Sequence, residues 1–110
     1  MTPAVLRLFF WAALVAVLVL SLLPVPPGLM VFTWQDKLEH AFAFLALGVL
    51  GHLAWRGRLW AVSAGLLAYG ALIEIAQSMT AHRMGDGWDW LADALGVGLA
   101  ILLMYRRRLA

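Results

Sequence analysis

Cysteine is absent from the chain, which excludes disulfide bridges and thiolate chemistry. Charge is scarce, at 13% of 110 residues, while 65% are hydrophobic and the mean hydropathy is +0.90. A soluble domain is nearer ~45–50% apolar, and a chain this short cannot hide the excess inside itself. A soluble globule is therefore excluded in favour of a membrane protein. There is no HExxH pair for zinc, no GxSxG nucleophile turn and no phosphate-binding P-loop. The net charge of +2 comes mostly from the tail Arg106-Arg107-Arg108. No aromatics alternate with that run, so nucleic acid is not expected as a partner. Repeats, low-complexity segments and linkers are absent too, which leaves residues 1–110 as a single domain.

What the chain does have is four apolar runs. The first, 4–23, is long enough to cross a bilayer core of ~30 Å. It has a basic start at Arg7 but no small-x-small cleavage site, so it is expected to be a retained span rather than a signal peptide. Pro24, Pro26, Pro27 and Gly28 end it, because proline has no amide to donate. The other spans are expected at 37–55, 59–78 and 88–105. Arg56-Gly57-Arg58 forms the basic turn between the second and third. Trp34, Trp88 and Trp90 mark one interface, and Trp55 and Trp60 the other. The expected fold is all-α, a polytopic four-transmembrane-helix bundle.

With four spans both termini share a side, and that side holds Arg7, Arg56, Arg58 and Arg106–Arg108, six of the eight Lys and Arg. Basic loops stay in the cytoplasm, so both termini are expected there. All six acids (Asp36, Glu39, Glu74, Asp86, Asp89 and Asp93) then fall in the outer half.

Charged residues inside a membrane are costly unless paired, so this segregation points to a site. Helical neighbours lie three or four apart. Asp36 and His40 share a face, with Lys37 beside them. Ser63, Leu67, Gly70, Glu74 and Gln77 form a stripe on the third span, and Asp89, Asp93, Gly96 and Ala100 one on the fourth. Ala92, Gly96 and Ala100 are small residues at a spacing that lets helices approach closely. The acids should thus face into the bundle, one to two turns deep. Lys37, His40 and Arg83 are the cations available to them, and Arg83 can bind a carboxylate or a phosphate bidentately. Asp36 has a competing role as the N-cap of the second span, and Asp86-Gly87 reads as turn chemistry. His52 is expected to pack near the opposite interface. His40 with several carboxylates has the donor types for a divalent ion, but without a metal motif neither metal nor cofactor is assigned.

At these residues the chain resembles the VanZ-like family of small bacterial membrane proteins. The shared pattern is Asp36-Lys37 with His40, Glu74 with Gln77, Arg83, Asp89 and Gly96, covering roughly 34–100. At Asp93 the family pattern has asparagine, so this chain carries an additional acid there. The resemblance implies a bacterial envelope protein of the cytoplasmic membrane. The family takes its name from a protein linked to low-level teicoplanin resistance.

The expected site is an outward-facing polar pocket of Asp36, Lys37, His40, Glu74, Gln77, Arg83, Asp89 and Asp93. Membrane lipids, or a lipid-linked cell-envelope precursor, are its expected partners. Three functions fit: a headgroup-binding protein, a lipid-headgroup enzyme with His40 and a carboxylate as acid and base, and a structural subunit whose polar cluster holds the helices in register.

Overall fold

A computed structural model of the chain describes residues 1–24, 28, 34–80 and 87–109, with side chains up to 107. Arg83, His82, Asp86 and the residues that lead into the second span from 29 to 33 lie outside the described residues.

Among the described residues four helices follow in order: α1 (Pro3–Leu22), α2 (Gln35–Ala54), α3 (Leu59–Ser78) and α4 (Gly87–Leu109). The Thr2 hydroxyl accepts from the Val5 amide at 3.3 Å, and Pro3, with no amide of its own to satisfy, occupies the first turn of α1. α1 stops at Leu22, one residue short of the expected end, because Leu23 turns extended ahead of Pro24. The basic turn between α2 and α3 is tight, and Gly57 takes φ 83°, a left-handed conformation that suits a residue without Cβ.

Two boundaries differ from expectation. α2 begins at Gln35, so Asp36 lies inside its first turn and the N-cap position falls to Trp34, which makes no side-chain cap bond. A first-turn acid still faces the positive end of the helix dipole. α4 runs beyond 105 to Leu109, since arginine is a good helix former and its charge is favourable at a helix C-terminus.

Helices α1, α3 and α4 are each long and apolar enough to cross a membrane. α2 has the length, but it opens on Asp36, Lys37, Glu39 and His40 and buries much of its apolar surface inside the bundle. The bundle measures 43 × 24 × 23 Å, and its long axis matches the ~40–45 Å thickness of a bilayer with its headgroups. Leu8, Phe9, Trp11, Val15, Leu20, Phe42, Leu72, Leu95 and Leu102 are exposed around the outside. That is far more exposed apolar surface than a soluble protein tolerates, and a lipid solvent accounts for it.

α2 and α4 form the closest pair. Their contact runs through glycines: a methyl on Gly96 would strike the Ala41 carbonyl and lie 2.8 Å from the Leu45 amide, and one on Gly48 would overlap Ala100. Phe44, Leu47, Val97 and Ala100 fill the seam, with Leu66 and Ile73 from α3 and Phe10 from α1 completing the core. α1 is held more loosely. Phe10, Trp11 and Trp55 stack edge to face, and Arg7 lies 5.3 Å from the centre of the Trp55 ring while donating to the Ala54 carbonyl at 3.1 Å. The Tyr69 hydroxyl donates to the Leu14 carbonyl, tying α1 to α3. His52 is buried beside Ser63 at 3.5 Å, a packing role.

Candidate functional site

The polar residues meet at the end of the bundle where α2 and α4 begin and α3 ends. His40 is at the centre. Its Nδ1 lies 2.8 Å from Asp93 Oδ1 and 4.0 Å from Glu74 Oε1, while its Nε2 lies 3.8 Å from Asp36 Oδ1 and 3.9 Å from Asp89 Oδ2. A carboxylate only accepts, so the contact with Asp93 puts a proton on Nδ1 and leaves the Nε2 lone pair of a neutral ring turned to the other two acids. Lys37 donates from Nζ to Asp89 Oδ1 at 3.2 Å.

Local helix geometry explains the convergence. Asp36 and His40 are one turn apart on α2, and Asp89 and Asp93 are one turn apart on α4. The close α2–α4 approach brings these two faces together. α3 contributes Glu74, and one turn before it Gly70 makes room for Asp93: a methyl there would lie 2.7 Å from Asp93 Oδ2. Asp93 is the seventh residue of α4, about 9 Å along it.

Burial grades across the cluster. Asp93 is fully buried and Asp89 and His40 nearly so, whereas the Asp36 and Lys37 side chains are 29% and 36% exposed. Four carboxylates thus gather around one imidazole and one ammonium among the described residues. Asp93 Oδ2 is buried without a hydrogen-bond partner among those residues. Such a gathering is stable only when nearby positive charge or shared protons compensate it.

One expected member goes elsewhere. Gln77 is buried on the same face of α3 as Glu74, but its Nε2 donates at 2.8 Å to the Ser21 carbonyl, so its amide ties α3 to the end of α1. Ser21 gave no signal in the sequence because it takes part through a backbone oxygen, which every residue has. The same is true of Leu67, whose carbonyl accepts from the Trp90 indole at 2.9 Å. Trp90, expected as an interface marker, also locks α4 to α3.

Between α1 and α2 a cavity of about 290 Å³ opens sideways. Val17, Leu20, Ala43 and Phe44 make its apolar walls, and Ser21, Asp36, Glu39 and His40 are its polar lining.

Among known protein families, the VanZ/LLP1 family model aligns with residues 8–108. No curated protein and no solved structure matches the chain. The alignment extends past the motif region into α1 and to within one residue of the end of α4, and three of the helices suit a bilayer. The chain is a membrane protein and belongs to the VanZ/LLP1 family.

Proposed function

We propose that this protein crosses the cytoplasmic membrane of a bacterium four times, with both termini inside, and binds the polar headgroup of a membrane lipid or lipid-linked envelope precursor at the His40 centre. The observation that carries this reading is the sideways cavity between α1 and α2. It joins apolar walls to a polar lining, as a lipid needs for its chain and headgroup. Leu20, one of its walls, is exposed on the apolar outside of α1, the side from which a lipid would arrive without leaving the bilayer. Asp36, which lines the cavity, and Lys37, its neighbour in the chain, are exposed enough to meet a headgroup. Arg83, which the sequence places in the connection before α4, would supply the cation for a phosphate.

Mass analysis of lipid copurified from native membranes tests this. One headgroup class should be retained by the purified protein and lost from Arg83→Ala at unchanged thermal stability. A wild-type protein carrying only the bulk lipid composition refutes it.

A second reading, catalysis on such a headgroup, is favoured by the His40–Asp93 contact. A carboxylate on Nδ1 holds the ring in place and leaves Nε2 as a base. Incubating the purified protein with its retained lipid separates the two: an enzyme changes the headgroup, and a binding protein returns it intact. The family's link to teicoplanin makes glycopeptide susceptibility a cellular readout, and a deletion strain of unchanged susceptibility would remove resistance from the proposal.

A further inference from the structure

His40 Nε2 belongs to a side chain that is 92% buried, since its exposure is 8%, and among the described residues it makes no hydrogen bond. It faces Asp36 Oδ1 and Asp89 Oδ2, at 3.8 and 3.9 Å, and these two carboxylates are close enough to each other to share a hydrogen bond. The two distances from Nε2 are too long for hydrogen bonds. They lie a few tenths of an ångström beyond the spacing around a shared ion: a cation about 2.0–2.2 Å from each of its tetrahedral ligands holds the ligand atoms roughly 3.3–3.6 Å apart, so a small closure of the three side chains would seat one. One ligand atom from each of Asp36, His40 and Asp89 fits within 4.8 Å of the others. We infer that Asp36, His40 and Asp89 form a binding site for a divalent first-row transition metal such as Zn²⁺ or Mn²⁺.

Three features of the surroundings support the assignment. Asp93 accepts from the far nitrogen of the ring, the arrangement that orients a metal-bound histidine and makes it a better donor. Lys37 engages Asp89 through Oδ1, while Oδ2 is the oxygen nearer His40 Nε2, at 3.9 Å. The cluster also carries an excess of carboxylates over cations among the described residues, and a divalent ion offsets it. One imidazole with two carboxylates is a mixed donor set that suits zinc or manganese, whereas calcium and magnesium favour oxygen alone. Asp36 and His40 border the α1–α2 cavity, so an ion there would be reachable and would present open positions to an incoming anionic group.

The ion shares its place with the proposed headgroup but does not depend on it, so the test contains no lipid. Untagged, delipidated and chelator-washed protein is titrated with Zn²⁺ and with Mn²⁺ by calorimetry. Wild type should bind one equivalent of at least one of them saturably. Asp36→Asn, a change at a partly exposed side chain, should unfold at the wild-type temperature without metal and bind about tenfold or more weakly. Asp93→Asn should keep the stoichiometry and also weaken binding, by roughly tenfold, because the amide still accepts from the ring but lacks the charge. Absence of saturable binding in wild type overturns the inference whatever the variants do. Wild-type affinity in Asp36→Asn overturns the ligand assignment.

Discussion

Gly96 and Gly98 are two residues apart on α4, and the same substitution at each should move stability in opposite directions. A methyl on Gly98 meets nothing within 4 Å. Alanine there should gain about 0.5–1 kcal/mol, the usual advantage over glycine inside a helix. A methyl on Gly96 instead meets the Ala41 carbonyl, the Leu45 amide at 2.8 Å and Phe44 Cβ at 3.1 Å. Overpacking costs about 1–3 kcal/mol, and the upper end applies because two of these atoms are helix backbone and cannot rotate aside. Subtracting the helix advantage leaves Gly96→Ala about 1–2 kcal/mol less stable than wild type. The two variants should therefore differ by about 2–3 kcal/mol, read as midpoints of reversible unfolding in mild detergent. Because Gly96 is one turn from Asp93, a separated α2–α4 seam would also loosen the His40 contact. If Gly96→Ala were as stable as Gly98→Ala, the close α2–α4 packing would be wrong, and with it the route by which the site is assembled.

Other outcomes follow from the same contacts. His40→Ala strands the fully buried Asp93 carboxylate and should cost about 3–5 kcal/mol, against a smaller loss for Asp93→Asn; equal unfolding temperatures for His40→Ala and wild type would refute the pairing. Lys37→Met removes a partly exposed partner from buried Asp89 and should cost about 1–3 kcal/mol in the same assay. Trp90→Phe loses one bond to the Leu67 carbonyl and should destabilise by about 1 kcal/mol without changing retained lipid. Reporter fusions after Ala110 and within 81–85 should report the cytoplasm and the exterior respectively, and a reversed result would move the site to the cytoplasmic face.

Composition and pattern alone carried much of this protein. An apolar excess in a chain of 110 residues requires lipid as solvent, and runs of about 20 apolar residues bounded by proline, glycine or arginine delimit helices. Boundaries were legible to within a few residues, and the largest departures were at α2 and α4, where charged residues continue a helix instead of ending it. Helical period also settled which residues on one helix share a face: Asp36 with His40, Gly70 with Glu74 and Gln77, Asp89 with Asp93, Gly96 and Ala100.

Which faces meet was decided by the tertiary structure. Period fixes the angle of a side chain about its own helix axis, but not the rotation of one helix against the next. That rotation is set where the Gly48–Ala100 and Gly96–Phe44 contacts let α2 and α4 close together, and it brings His40 against Asp93 rather than leaving its only acidic neighbour one turn away at Asp36. It turns Gln77 toward Ser21 although Gln77 shares its face with Glu74, and it gives Trp90 a carbonyl on α3 as its hydrogen-bond partner. Backbone oxygens accept both bonds and carry no residue identity, so no sequence pattern could announce them. The two nitrogens of His40 are the sharpest case: the sequence supplies one imidazole among acids, and only the packing assigns one nitrogen to Asp93 and turns the other toward Asp36 and Asp89.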